Sequence, residues 1–325
     1  MSVTTRRFAV ATLLTGVIAG LVGLACIHLL HWIQALAWDM HSGTLLEAVS
    51  AASPARRVLN LVLGGILGAA SWFFLFRRSR AITSVSAAVG GTPMPPLRAT
   101  WHALTQVLIV GLGASVGREV APREMAAAFS AAAADRLKLT PEDRRIIVAC
   151  GAGAGLAAVY SIPISGAIYT LEILLVSRSR RAVAAAFCTS AIAVLISTGF
   201  TRPTPFYSVP TLTPSLSLTV FAALVGPLLG AAGWAFKQAV ARIGAARPRD
   251  WRLLAALPAA SFLVGVIAVW VPSVLGNGQA SAQTQFDAVW ATGAGLGIAA
   301  LVLAAKTVTT FLTIRAGGWG GVLTP

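Results

Sequence analysis

The chain has 325 residues and a formal net charge of +15, yet 57% of its residues are apolar and only 11% are charged. A mean hydropathy of +0.80 excludes a water-soluble protein, and several uncharged stretches are long enough to cross a bilayer. The positive charge does not indicate a nucleic-acid-binding protein, because most arginines lie in short tracts between apolar runs, as at the cytoplasmic ends of membrane helices. We therefore predict a multi-pass integral membrane protein with no nucleic-acid partner.

Apolar stretches along the chain predict an all-α bundle embedded in lipid. They run over residues 8–38, 58–76, 99–117, 146–176, 182–201, 215–236, 253–272 and 288–314. The first is too long for a cleaved signal peptide, so we predict that it is retained as a span. Glycine pairs at four-residue spacing predict close helix packing, since they let backbones touch. These pairs are Gly16/Gly20, Gly151/Gly155 and Gly226/Gly230.

A repeat divides the predicted single membrane domain, residues 1–325, into halves at 8–201 and 215–325. Each half has a long span, a second span and then a glycine-to-proline signature, GREVAP at 117–122 and GGVLTP at 320–325. After its signature the first half continues through three further apolar runs, whereas the second half ends. We therefore predict that the second repeat is incomplete, with the fold truncated at its C-terminal end.

Charges at the span ends predict that the two halves are inverted in the membrane. In the first half, loop 39–55 has no Lys or Arg, whereas arginines at residues 77–80 follow the second span. The second half reverses this order, with arginines at residues 242–252 after its first span and none in loop 273–286. Because Lys and Arg prefer the cytoplasmic side, this pattern predicts a cytoplasmic N-terminus. Inverted repeats are typical of transporters and channels, whose site lies near the midplane.

The first signature predicts an anion-binding site. A glycine-rich turn over residues 113–117 leads into an alanine-rich helix with Pro122 near its first turn. Such a turn presents unpaired backbone N–H groups and the positive end of the helix dipole. The second signature would supply a similar terminus from the other half. Two such ends hold a halide or nitrate without a full cationic charge, which keeps binding weak enough for conduction.

Glu119 lies inside the first signature. A carboxylate beside unpaired amides competes with the anion for the same donors, and its protonation would free the site. Glu119 is then a proton-sensitive gate. The residues also allow a second interpretation, in which Glu119 caps a helix or pairs with Arg118 at the membrane interface.

These motifs resemble those of the CLC family of voltage-gated chloride channels and chloride/proton antiporters. GREVAP is similar to that family's G-K/R-E-G-P motif, and GGVLTP to its G-G-x-F-x-P motif. Residues 151–175, GAGAGLAAVYSIPISGAIYTLEILL, resemble its Ala/Gly-rich stretch, and LVLAAKTVTTFLTIRAGG resembles the helix before its second signature. The resemblance covers most of residues 10–325. It implies a CLC-like inverted-repeat bundle of tilted transmembrane helices and re-entrant half-helices.

The resemblance also implies residue roles and partners. Glu119 corresponds to the gating glutamate, and Glu172 to the first of two successive acids where antiporters often keep an inner proton-transfer glutamate, the second position being Ile173. Chloride is the implied permeant ion, without a cofactor, in a homodimer in the bacterial cell (inner) membrane. The implied anion-binding residues are Gly117, Arg118, Glu119, Val120, Gly321, Val322 and Leu323.

Two other classes of function remain for comparison. An inverted-repeat carrier for a different anion would show flux that does not depend on Glu119. A membrane enzyme such as an aspartyl protease needs paired acids within spans. The aspartates lie instead at span ends or in loops, at residues 39, 135, 143, 250 and 287. We predict no enzyme and no metal site, since the cysteines have no CxxC spacing and the His28/His31 pair is better explained by packing at the interface.

Overall fold

A computed structural model describes residues 3–78, 82–199, 207–209, 213–291 and 295–322, which form an all-helical bundle. The helices are α1 (Val3–Trp38), α2 (Leu45–Ala51), α3 (Pro54–Arg78), α4 (Val85–Val89), α5 (Pro96–Gly111), α6 (Val120–Arg136), α7 (Pro141–Tyr160), α8 (Pro163–Tyr169), α9 (Arg180–Ser197), α10 (Leu216–Ala245), α11 (Leu253–Trp270), α12 (Gln279–Ala291) and α13 (Gly295–Arg315). A π-helical turn, Thr170–Leu175, continues α8, and a 3-10 turn, Pro272–Val274, follows α11. Six of the described helices are long and apolar enough to cross a membrane.

Most predicted spans are confirmed, but the helix ends within two of the predicted apolar runs, at positions where the backbone turns. The run predicted over 99–117 ends as α5 at Gly111, and Gly113 then adopts a φ of 102°, which an L-residue avoids. The run predicted over 146–176 is interrupted at Ser161, which is left-handed with a φ of 55°, before Pro163 begins α8. Proline disfavours helix in the residue before it, so the chain bends at this point.

The glycine spacing predicts packing correctly in the first half of the chain. A Cβ on Gly16 would meet Ile192, and a Cβ on Gly20 would meet Ile196, so α1 lies directly against α9. Gly151 and Gly155 similarly approach α6. The third pair differs, because Gly226 and Gly230 on α10 face open space. None of the residues described in α10 is buried.

Helices α3 and α11, which hold equivalent places in the two predicted repeats, pack against each other in antiparallel fashion. Gly65 of α3 approaches Pro258 and Ser261, whereas Gly265 of α11 approaches Val58, nearer the start of α3. Opposite directions are what an inverted repeat requires of equivalent helices. The division into two repeats, and the truncation of the second, stay predictions. The loop after α13 meets the loop after α5 at a bridge between Gly321 and Gly117.

Candidate functional site

The two glycine-containing signatures lie side by side inside the bundle. The amide of Gly117 donates to the carbonyl of Gly321 at 2.8 Å, and the amide of Gly321 donates to the carbonyl of Gly117, also at 2.8 Å. The two residues thus form an isolated antiparallel bridge. Two chain segments widely separated in sequence therefore build one site, as the predicted convergence of the signatures requires.

Glu119 is fully buried at this bridge, with 0% of its surface exposed. It immediately precedes α6, and its carboxylate lies directly against the Cα atoms of Gly117 and Gly321. A Cβ on either glycine would collide with the carboxylate. Glycine at both positions is thus what makes room for the acid.

The bridge corrects the predicted roles of two residues. Gly117 and Gly321 do not offer their N–H groups to an anion, because each is bonded to the other's carbonyl. Their contribution is the space left by the missing side chains. Val120 begins α6, whose first-turn amides have no acceptor within the helix and remain the donors suited to an anion. Val322 follows the bridge, and Leu323 lies outside the described residues.

The geometry tests one part of the second interpretation of Glu119, the helix cap. Glu119 occupies the N-cap position of α6, but its side chain makes no capping hydrogen bond to the helix. Its complete burial is also inconsistent with a place at the membrane interface. The guanidinium of Arg118 lies over the ring of Tyr160, 5.2 Å from its centroid. The geometry thus gives no side-chain cap by Glu119, and its role as a gate stays a prediction.

Side chains missed by sequence reasoning fix the first signature to the other half of the chain. The hydroxyl of Ser115 lies 2.9 Å from that of Thr309 and 3.3 Å from that of Thr310, both on α13. These small polar groups carried no sequence signal, because Ser and Thr are common in membrane helices.

A buried cation, also missed, holds the loop after α11 in place. The ammonium of Lys306 on α13 donates to the carbonyls of Val274 at 2.8 Å and Gly276 at 2.7 Å. The amide of Gly276 in turn donates to the carbonyl of Gly113 at 3.0 Å, at the start of the glycine-rich turn that leads into the first signature. The turn that leads to Glu119 is thus supported from the second half of the chain.

Sequence reasoning also missed a buried polar cluster formed by His102, Gln106 and Glu124. His102 and Gln106 lie one turn apart on α5, and Glu124 lies on α6. Their four-residue spacing within an apolar run was a signal that could have found the first two, since i and i+4 side chains share a helix face. Glu124 was hidden by its proximity to the signature.

Glu172, unlike Glu119 and Glu124, is not buried in the bundle. It is exposed, in the π-helical turn after α8, and lines an open groove of about 520 Å³ together with Leu171, Ser177 and Arg178. The groove places this acid at the surface of the bundle, whereas the sequence pattern placed it deep in an apolar run. Its role in proton transfer stays a prediction.

The three cysteines are free thiols. Cys26 and Cys150 are buried free thiols, and Cys188 is a partly buried one. No group of His, Cys, Asp or Glu within the described ranges has the arrangement of a metal site.

The family model for the voltage gated chloride channel matches residues 64–325 of the chain. The chain belongs to the voltage-gated chloride channel family. Among its curated relatives, the voltage-gated ClC-type chloride channel ClcB of Escherichia coli O81 (strain ED1a) is 28% identical over 340 residues, which cover 98% of this chain and 77% of that protein. The ClcB protein of E. coli O139:H28 (strain E24377A / ETEC) is 27% identical over 335 residues, with the same coverage.

Solved structures of this family share the fold. A slow cyanobacterial Cl⁻/H⁺ antiporter superposes with a TM-score of 0.76 at 20% identity, covering 98% of this chain and 76% of that one. A CLC-type fluoride/proton antiporter gives a TM-score of 0.75 at 19% identity, covering 97% and 76%. The predicted membership of the CLC family, the helical membrane fold and a function in anion transport are thereby confirmed.

Proposed function

We propose that this protein moves chloride or a similar small inorganic anion across the membrane through a passage gated by the carboxylate of Glu119. The observation that carries the proposal is the position of that carboxylate, buried against Gly117 and Gly321 where the two signatures meet. The named chloride channels among its relatives support chloride as the ion.

The chemistry of the site explains how one acid can act as a gate. The start of α6 favours negative charge, because its first amides are unpaired and the helix dipole is positive there. A carboxylate and a chloride ion are both stabilised by such a terminus, so each excludes the other. Protonation removes the charge from Glu119, and the neutral side chain then competes less well for the site. Anion passage and the protonation of Glu119 are therefore linked.

The remaining features belong to the same proposal. The protein lies in the bacterial inner membrane with its N-terminus in the cytoplasm, because its arginine-rich loops fall on one side under the predicted topology. It acts without a cofactor and as a homodimer, which the family resemblance implies. The amides near Arg118, Val120 and Val322, with Leu323, line the anion path.

The proposal is tested by anion efflux from vesicles that contain the purified full chain. Chloride-loaded vesicles are treated with valinomycin at neutral pH, and a chloride electrode records the release. We expect the wild-type protein to release chloride, and Glu119→Gln to release it faster because the amide carries no competing charge. Glu142→Gln, which changes an exposed acid in the first turn of α7, is the matched control and should behave as wild type.

Two results would contradict the proposal. Vesicles with wild-type protein that release no more chloride than empty vesicles would exclude chloride transport. Equal release from wild-type and Glu119→Gln vesicles would exclude the gate.

A second candidate ion is fluoride, since one of the structures that share this fold is a fluoride/proton antiporter. Replacing internal chloride by fluoride in the same vesicles, with a fluoride electrode, distinguishes the two ions. Faster release of fluoride than of chloride would favour the second candidate.

A further inference from the structure

Lys306 is a buried cation within an apolar helix. It is 3% exposed and lies on α13, which is long and apolar enough to cross a membrane. Its ammonium donates to the carbonyls of Val274 at 2.8 Å and Gly276 at 2.7 Å. None of the ion pairs between described residues includes it. An ionisable group inside a membrane is costly, and such groups are commonly kept for function.

The loop after α11 needs these two hydrogen bonds because its backbone is irregular and buried. Beyond the 3-10 turn the chain follows no helical or strand pattern, and Gly276 has a φ of 74°. Val274 and Leu275 are 0% exposed, so water cannot take the place of the lysine. A buried carbonyl without a donor is unfavourable. The ammonium therefore stabilises the path that this loop takes inside the bundle.

The loop after α11 in turn supports the start of the turn that leads to Glu119. The amide of Gly276 donates to the carbonyl of Gly113 at 3.0 Å. The side chain of Leu275 also lies close, because a Cβ on Gly113 would approach it at 3.6 Å. Gly113 has a φ of 102° and begins the glycine-rich turn over residues 113–117. Lys306 is thus connected to this turn through one short backbone segment.

The same face of α13 also contacts the middle of the turn. Thr309 and Thr310 follow Lys306 by three and four residues, a spacing that places side chains on one face of a helix. Their hydroxyls lie 2.9 Å and 3.3 Å from that of Ser115. One helical turn of α13 therefore holds the turn before Glu119 both directly and through the lysine.

The position of this turn determines where the gating carboxylate lies. The carboxylate of Glu119 is placed against Gly117 and Gly321, which offer no side chains to hold it, so its position depends on the backbone that carries it. A shift of the turn moves the carboxylate relative to the first amides of α6, the donors for which it competes with an anion. Hydrogen bonds weaken steeply with distance and angle, so a small shift is enough.

We propose that Lys306 is a positioning residue that holds the carboxylate of Glu119 in its blocking position, through the loop after α11 and the glycine-rich turn. The inference rests on the proposed function, since it needs Glu119 to exclude the anion. Both described hydrogen bonds of Lys306 go to backbone carbonyls, so its charge stabilises the backbone and not the ion. Without the ammonium the turn loosens, the carboxylate leaves its position more often, and the anion passes more readily.

The test measures chloride release at neutral pH from vesicles that contain the full chain. Lys306→Met keeps a long apolar side chain but removes the ammonium. We expect it to release chloride about fivefold faster than wild type, the effect of one typical net hydrogen bond. Lys306→Arg keeps the charge and the donors and should restore the wild-type rate. Lys237→Met, which changes an exposed lysine of α10, is the matched control and should behave as wild type.

Variants without the gating carboxylate separate positioning from a general role in the path. In a Glu119→Ala background, Lys306→Met should leave chloride release unchanged, because no carboxylate remains to be positioned. Equal slowing of release in both backgrounds would mean that the ammonium attracts the anion or supports the path itself, and would overturn the inference. If Lys306→Met does not fold, as judged by size-exclusion chromatography, Lys306→Gln replaces it with the same expected direction, since its amide is neutral and its side chain shorter.

Results on Glu119 alone judge the proposed function separately. If wild type releases chloride and Glu119→Gln releases it faster, but the folded Lys306→Met or Lys306→Gln variant keeps the wild-type rate, the inference alone is overturned. Absence of chloride release from wild-type vesicles would overturn the proposed function.

Discussion

Glu119 immediately precedes α6 and Glu124 lies on it five residues later; both are buried, but the protein holds them in different ways. Glu119 rests in a slot created by two missing side chains, since Gly117 and Gly321 supply only Cα atoms and backbone. Glu124 is fixed by short hydrogen bonds to His102 and Gln106. The absence of two side chains makes room for one acid, and hydrogen bonds to α5 fix the position of the other.

This difference suits the two acids to different tasks. A side chain in a steric slot leaves it by rotation of the side chain. A side chain in a hydrogen-bonded cluster is costly to move, because its departure leaves buried donors unsatisfied. The molecule therefore separates a movable acid from a stationary one, and substitutions at each should affect different measurements.

The largest expected effect is on the pH dependence of chloride flux. Wild-type flux should rise as pH falls, by at most about tenfold per pH unit for a single titrating proton, because the protonated side chain of Glu119 competes less with the anion. Glu119→Gln should give a flat profile, since an amide does not titrate. Chloride efflux from vesicles at matched internal and external pH measures both profiles.

Glu124→Gln is the variant that sharpens this comparison. It should keep a chloride flux that rises with falling pH, because its gate is intact. A flat profile in Glu124→Gln, like that of Glu119→Gln, would mean that the two acids act as one unit and would contradict the division of tasks.

The next largest effect concerns the slot itself. A Cβ added by Gly321→Ala meets the carboxylate of Glu119, so we expect a loss of about 1–3 kcal/mol in the free energy of unfolding, as for other overpacked sites. In a Glu119→Ala background the same substitution should cost less, because the obstructing carboxylate is gone. Thermal unfolding of the single and double variants in detergent gives the coupling between them.

Gly226→Ala provides the matched glycine control. Gly226 lies within α10 and faces open space, so the added methyl group meets nothing and only the helix propensity changes. The free energy of unfolding of Gly226→Ala should equal or slightly exceed that of wild type.

The double variant supplies the result that would contradict the slot. If the losses in free energy of unfolding caused by Gly321→Ala and Glu119→Ala simply add, the carboxylate does not occupy the slot.

Much of the fold follows from sequence because lipid imposes simple rules. Long apolar runs must be helices, as α1 and α11 are, and Gly16 and Gly20 mark a true helix contact. The site was also predictable in part. The paired signatures were expected to converge, and the bridge between Gly117 and Gly321 shows that they do.

The rest depends on tertiary contacts that no local pattern contains. The hydrogen bonds between the two glycines remove the very donors that their motifs led us to expect, and only the three-dimensional pairing reveals this. Glu124 likewise becomes notable only once α5 places His102 beside it. Conversely, Glu172 looked buried in a linear apolar run, but the break at Ser161 and the turn after α8 leave it exposed.

The smallest expected effect comes from the loss of the hydroxyl contacts that hold the loop before Glu119 against α13. Ser115→Ala removes the hydroxyl contacts with Thr309 and Thr310, which connect the first signature to α13, and should lower the free energy of unfolding by about 1 kcal/mol, a typical net hydrogen bond. Ser130→Ala is the control, because the hydroxyl of Ser130 is buried but has no partner among the described residues, so its removal should cost nothing. Thermal unfolding compares the two. Since Ser115 lies in the loop that leads to Glu119 and connects it to α13, its loss should also alter the pH dependence of chloride flux, which Ser130→Ala should leave unchanged. Equal chloride profiles for the two variants would contradict a role of this contact in positioning Glu119.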